Sequence, residues 1–299
     1  MRLLIYGLNY KPELVGIGKY TGEMSEWLVK RGHDVNVICA PKYFPYWESK
    51  KNRFYSEFIN GVKIFRCPVY LSKKSNFLYR LLHYLSFSLS SIPLLIRNLR
   101  FKPDIIIVIS PSFLCSINAL FFSLISKNKT KKWIHIQDLE IDLAFNLGKI
   151  RNEFFKKIIL NIEKILLSKF DQISTICYSM KKSIINKGIK SEKIIIIPNW
   201  VDNNIYQNAF NSKKENIYSK KYKSKPKDIV IMYSGSMNDK QDLDLIINSI
   251  NYLKKVENII WFFGIEGKAK NKLIKQVGSY KNVFILPLQP KKNLIEWFN

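Results

Sequence analysis

Acidic residues are scarce in this 299-residue chain. Asp and Glu total 23 against 49 Lys and Arg, a formal net charge of +26 at pH 7. A surface of that sign attracts phosphates, anionic lipid or nucleic acid. Cysteine is scarce too. Cys39, Cys67, Cys115 and Cys177 lie far apart and form no C-x-x-C pair, which argues against a zinc site and against a disulfide framework. Each sits in or beside an apolar run, so buried free thiols in a reducing compartment are expected. Long uninterrupted apolar runs are missing. The nearest, Phe77 to Phe101, is broken by Arg80, His83, Pro93 and Arg97, whereas a membrane span needs about 20 apolar residues in a row. The opening MRLLIYGLNY is too short an apolar run for a secretory signal and reads as a first strand. No HExxH, no Walker-type lysine motif and no Ser/His/Asp order is present, and Ser179-Met180-Lys181-Lys182 has no partner motif to make it catalytic.

Hydrophobic residues make up 47% of the chain, enough for a packed core, so a disordered protein is excluded. Short β-branched runs alternate with helical patterns: Leu3–Tyr6, Val35–Cys39, Val62–Phe65, Ile105–Ile109, Trp133–Ile136, Ile173–Ile176 and Ile194–Ile197 as strands, and Lys19–Lys30, Phe77–Leu99, Asn152–Ser168 and Met180–Lys187 as helices. That alternation predicts an α/β fold with a parallel sheet buried on both faces. Asn60-Gly61 predicts a hairpin joining Phe54–Phe58 to Val62–Arg66. Near residue 200 the pattern stops, and 203–227 is polar and basic without a period. A second series follows, with strands at Ile229–Tyr233, Ile259–Phe263 and Val283–Leu286, helices at Leu243–Lys254 and Ala269–Val277, and a helix beginning at Leu294–Phe298. Residues 1–202, a basic linker at 203–227 and 228–299 are therefore expected as successive parts, the last with too few strands to close a doubly wound core.

Four places could carry chemistry. Gly16 and Gly18 precede a helix, where backbone N–H groups and the macrodipole favour an anion; a flexible turn explains them equally. The G-x-G-x-x-x-G spacing and the absence of an acid after Ile38-Cys39-Ala40 do not make a dinucleotide fingerprint. Gly235, Ser236 and Lys240 follow the first strand of the second series, at the sheet edge where ligands gather. A lysine there neutralises a diphosphate or is a solvated charge. Gln137, Asp138, Glu140 and Asp142 appear abruptly after a buried strand, as functional groups or as caps of the next helix. His135, which alternates with apolar residues, is a candidate core histidine. Asn199 and Asp202 stand where the first part ends.

The set of motifs YGLNYKPELVGIGKYTG, HIQDLEID, IPNWVD, YSGSMNDKQDL and LPLQP, in that order, resembles the GT-B glycosyltransferases of the retaining family 4 type, closest to the colanic-acid and O-antigen biosynthesis enzymes. The resemblance implies a GT-B fold: two Rossmann-like domains with parallel sheets facing across a cleft, the acceptor on residues 1–202 and a nucleotide-sugar donor on a partial domain at 228–299. It implies donor-phosphate binding by Gly16, Gly18, Gly235, Ser236 and Lys240, interdomain roles for Asn199 and Asp202, and catalytic roles for Asp138 and Gln137, the latter where many relatives carry a histidine. The implied acceptor is a polyprenyl-diphosphate-linked glycan at the inner face of the plasma membrane. No cofactor, metal or nucleic acid is called for. Phe77–Phe101, flanked by Lys73, Lys74, Arg97 and Arg100, then reads either as a helix resting on anionic lipid or as one packed on the sheet. The family's acidic E-x7-E element is not found: Glu257, Glu266 and Glu296 have other spacings. On this reading the chain is C-terminally truncated and does not turn over by itself, which measured sugar transfer would refute. A non-catalytic remnant and a basic nucleic-acid-binding protein are the competing readings, the latter without any RNA- or DNA-binding signature.

Overall fold

The computed structural model describes residues 1–13, 16–43, 47–74, 77–110, 113–127, 129–146, 152–201, 222, 225, 227–237, 242–266 and 270–287. The chain divides into two compact units, Met1–Trp200 and Val201–Asn299. Of the 203–227 segment only Tyr222, Lys225 and Lys227 are described, and the helix expected at Leu294–Phe298 lies outside the described residues.

The first unit is built on an eight-stranded, mostly parallel sheet. In chain order its elements are β1 (Arg2–Gly7), α1 (Ile17–Lys30), β2 (Asp34–Cys39), β3 (Tyr55–Ile59), β4 (Val62–Arg66), α2 (Phe77–Ser90), α3 (Ile92–Asn98), β5 (Ile105–Ser110), α4 (Phe113–Ile125), β6 (Lys131–Ile136), α5 (Glu140–Asn146), α6 (Glu153–Ser168), β7 (Gln172–Thr175), α7 (Tyr178–Asn186) and β8 (Ile194–Ile196). The spatial order is β3-β4-β2-β1-β5-β6-β7-β8, and only β3 runs antiparallel, through the Asn60-Gly61 turn. Both turn residues have positive φ (49° and 81°), the geometry a two-residue hairpin with right-handed twist requires. The central strands read LLIYG, VNVIC and IIIVIS because helices cover both faces. Leu4, Tyr6, Ile38, Phe87, Ile106, Val108, Phe122 and Ile134 pack on one face. Leu3, Ile5, Val37, Ile64, Ile107 and Ile109 pack on the other, against Met24 and Leu28 of α1.

Two expectations are corrected. The helix expected over Phe77–Leu99 is two helices, α2 and α3, parted at Ser91. Pro93, in the first turn of α3, has no N–H to return to the Leu89 carbonyl, so the ladder breaks there. Of the thiols, Cys39, Cys67 and Cys115 are buried, but Cys177 is exposed, because it precedes α7 at the surface end of β7.

The second unit holds β9 (Ile229–Ser236), α8 (Leu243–Tyr252), β10 (Ile259–Glu266), α9 (Lys270–Val277) and β11 (Val283–Leu286). The strands form a parallel sheet in the order β11-β10-β9. Leu243, Ile247 and Ile250 of α8 and Leu273 and Val277 of α9 bury the face carrying Trp261, Phe263 and Ile265. On the opposite face Tyr222 lies against Phe262 and Phe284, with ring centroids 5.1 and 4.4 Å apart. Both long strands run three residues further than the sequence pattern suggests. Gly235 is therefore inside β9, paired with Ile265, and not in a turn after it, because β10 continues to Glu266 and keeps the ladder going.

Candidate functional site

Strand order in the first unit reverses between β1 and β5. Beyond the C-terminal ends of those two strands is the crevice that open α/β sheets use for ligands. The connection after β1 enters it and ends at Gly16, which caps α1 with φ 64° and ψ −145°. That conformation is closed to residues with a Cβ at reasonable cost. No side chain caps the start of α1, and its first turn carries no acid of its own; the start of a helix favours an anion. Gly18 is needed for space. A Cβ there would stand 2.8 Å from Glu13 Oε2 and 3.2 Å from the Tyr10 nitrogen.

This loop is held by residues that sequence reasoning missed. Glu13 is buried and accepts a hydrogen bond from Asn9 Nδ2 at 2.9 Å, which also donates to Tyr43 Oη at 2.9 Å. Arg66, with only 1% of its side chain exposed, donates from Nε to Glu57 Oε1 at 2.6 Å, from Nη1 to the Ala40 carbonyl at 2.8 Å and from Nη2 to the Lys11 carbonyl. It thus ties the ends of β2 and β4 to the loop. One signal was available: alternation along Val62, Ile64 and Arg66 puts the arginine on the inward face, where an unpaired charge cannot stay.

Two strands over, about 10 Å away at the usual strand spacing, β6 delivers Gln137 and Asp138. Gln137 is buried and Asp138 exposed. Asp138 lines a cavity with Ser110, Ser116, Ile134, Ile136, Glu140 and Glu163. Acids nearby have structural partners. Glu140 accepts from Tyr84 Oη at 2.6 Å, and burial together with that carboxylate holds the Tyr84 hydroxyl well above its usual range, so it stays a donor. Asp142 and buried Glu163 share Lys187 Nζ at 2.9 and 2.6 Å. Burial raises the Glu163 carboxyl above the ordinary glutamate value, and Lys187 opposes that rise. His135 is a core residue: its Nδ1 lies 2.8 Å from Ser174 Oγ, and burial pushes it down to about 4.

Asn199 is exposed in the segment after β8. Its neighbour Trp200 brings that segment to α1, donating to Glu23 Oε2 at 2.8 Å and setting its ring edge-on to Tyr20. The structure thus gathers Gly16, Gly18, Gln137, Asp138 and Asn199 on the C-terminal side of one sheet. In the second unit Gly235 and Ser236 end β9, and Asp242 caps α8 by accepting from the Leu245 nitrogen at 3.3 Å. Lys240, Asp202 and Glu296 lie outside the described residues. Glu266 pairs with Lys270 at 3.0 Å. Among the described residues no group of three His, Cys, Asp or Glu side chains could hold a metal ion, and no helix is long and apolar enough to cross a membrane.

The profile of Glycosyltransferase Family 4 matches residues 15–204. The chain is 36% identical over 296 residues to the Escherichia coli (strain K12) colanic acid biosynthesis glycosyl transferase WcaI, covering 97% of this chain and 72% of that protein. Among solved structures it is similar to the catalytic domain of starch synthase IV from Arabidopsis thaliana bound to ADP and acarbose, with a TM-score of 0.69, 12% identity and coverage of 99% of this chain and 76% of that one. It is also similar to Anabaena Alr3699/HepE in complex with UDP-glucose, with a TM-score of 0.64, 12% identity and coverage of 99% and 71%. At those identities the structures show a shared fold, that of the GT-B glycosyltransferases.

Proposed function

The chain belongs to glycosyltransferase family 4, and from that premise we propose that it moves a sugar from a nucleoside-diphosphate sugar to a lipid-linked glycan during assembly of a cell-surface polysaccharide, with retention of configuration. The observation that carries this reading is the identity to WcaI along nearly the whole chain. The ADP bound to the starch synthase and the UDP and UDP-glucose bound to HepE support the donor class.

In this reading the second unit holds the donor. Negative charge grows on the diphosphate as the glycosyl bond breaks. Lys240, Ser236 and backbone N–H groups around Gly235 stabilise that charge, and such stabilisation is commonly the largest catalytic contribution. By the family resemblance Gly16 and Gly18 belong to the phosphate-binding set as well. Gln137 and Asp138 orient donor sugar and acceptor. The acceptor hydroxyl attacks from the face the diphosphate leaves and gives its proton to the departing phosphate oxygen. That route retains configuration without the paired carboxylates of glycosidases. Asn199 and Asp202, where the first part of the sequence ends, take interdomain roles by the family resemblance. The acceptor is a polyprenyl-diphosphate-linked glycan, which places the work at an anionic membrane surface.

Isothermal titration with UDP, GDP and ADP, followed by transfer of labelled sugar into the organic-extractable lipid fraction, tests the reading. Saturable binding of one diphosphate, weakened about tenfold or more by Lys240→Ala, and label in the lipid fraction are expected, and label there would also refute the expectation that this chain does not turn over by itself. No binding of any diphosphate, or sugar released only to water, overturns it.

A further inference from the structure

Three neighbouring helices of the first unit each expose a row of apolar residues where a surface helix normally carries polar ones. In α4 the inner stripe, Cys115, Ala119 and Phe122, is buried on the sheet. The outer stripe, Ile117, Phe121 and Leu124, faces out, with Phe121 60% and Leu124 83% exposed. The whole of α4, FLCSINALFFSLI, contains no charged residue. In α6 the outer stripe is Phe154, Ile158, Ile162 and Ile165, and Phe154 is 69% exposed. In α2 it is Leu78, Leu82, Leu85 and Leu89. Helix α2 packs against α4 and α4 against α6, so the stripes join in one apolar face. Contiguous exposed patches of that kind mark interaction surfaces.

The charge around this face selects the occupant. From Lys73 to Lys132 the chain holds ten basic residues and one acid, Asp104, whose carboxylate is taken up by Arg2 at 3.7 Å. On α6, Lys157 and Lys164 are exposed beside the stripe. None of these helices can span a bilayer. Apolar stripes edged by Lys and Arg suit a helix lying in the plane of an anionic interface. We propose that the face formed by α2, α4 and α6 docks this protein onto an anionic lipid bilayer. The sequence pattern pointed only to Phe77–Phe101; the fold enlarges the surface to α4 and α6. Helix α6 begins beside α5, where Lys156 Nζ lies 5.7 Å from the Phe145 ring. The docked face thereby adjoins the sheet edge carrying Asp138. Delivery of a lipid-linked acceptor to that edge rests on the function proposed above, whereas the docking itself does not.

Co-sedimentation with vesicles of phosphatidylglycerol and phosphatidylcholine, against phosphatidylcholine alone, tests the docking without donor or acceptor. Binding to the anionic vesicles that falls as salt rises is expected. The pairs Phe121→Glu with Leu124→Glu, and Phe154→Glu with Ile158→Glu, are expected to weaken it about tenfold or more, from lost apolar burial and added like charge. The melting curve of the Phe121 and Leu124 pair should match the parent's, because those side chains are mostly exposed. Phe121→Trp supplies a second readout, a blue shift of its emission on anionic vesicles and none without lipid. Equal binding to both vesicle types, or binding that neither pair weakens, overturns the proposal. So does self-association without lipid that the same pairs abolish, which would make the face a contact between copies of the chain. Sugar transfer to a detergent-solubilised acceptor reports on the proposed function separately.

Discussion

Replacing Arg66 by methionine tests whether the loop after β1 is held from below. The methionine fills part of the space but removes all three donors. The Ala40 and Lys11 carbonyls then lose the guanidinium inside the protein, where an unmade hydrogen bond costs about 1–3 kcal/mol each. Glu57 is 31% exposed, so water takes over much of its charge, and its loss counts for less than that of a fully buried partner. A net cost of about 3 kcal/mol follows. For a unit of this size each kcal/mol lowers Tm by about 2–4 °C, so a drop of about 6–12 °C is expected by calorimetry. Arg66→Lys keeps the charge but has no planar fork to serve three acceptors, and should recover less than half of the loss. The loop bearing Gly16 and Gly18 loosens with it, so diphosphate affinity should fall in both variants. A Tm within 2 °C of the parent for Arg66→Met would show that Arg66 is not the clamp its contacts describe.

Gly18→Ala drives a methyl group into Glu13 and should cost about 1–3 kcal/mol; melting and diphosphate titration check it, and an unchanged protein would mean the loop yields freely. Lys187→Met leaves Glu163 buried beside Asp142 without a cation and should cost about 3–5 kcal/mol at neutral pH. Because the folded-state carboxyl of Glu163 already titrates above its ordinary value, and loses its opposing cation in this variant, stability falls as pH rises from the unfolded glutamate value through the folded one. The deficit should therefore shrink on acidification, and adding Glu163→Leu should remove most of it. His135 titrates at about 4 in the folded chain, below the unfolded value of about 6.5, so its contribution is complete above that value and is lost as pH falls toward 4. His135→Asn should flatten this part of the Tm–pH curve. In the native protein a thiol reagent should modify Cys177 alone, because Cys39 and Cys67 are pushed up to about 12 by burial and Cys115 is enclosed.

Much of the fold was legible in the chain. Runs such as IIIVIS and VNVIC announce parallel strands because strands covered on both faces have no polar register. Asn60-Gly61 announces its hairpin because few other pairs tolerate two positive φ values. The edge bearing Gly16, Gln137 and Asp138 was legible as well, since an abrupt change from apolar to polar marks where a buried strand surfaces. The break at Ser91 was harder to see: Pro93 was visible, but the apolar period continues across it and masks two helices as one. The reach of β9 through Gly235 was not legible, since a glycine reads locally as a turn while the pairing that keeps it extended comes from Ile265, thirty residues away.

What the sequence by itself determined was the set of elements and the edge at which polar groups emerge, because hydrophobic period and turn chemistry act over a few neighbouring residues. What only the tertiary structure decided was which groups meet: Arg66 under the Lys11 carbonyl, Glu163 against Lys187, and the outer stripes of α2, α4 and α6 side by side. Those contacts join residues tens of positions apart. Burial and charge pairing depend on distance in space, which a local pattern does not encode.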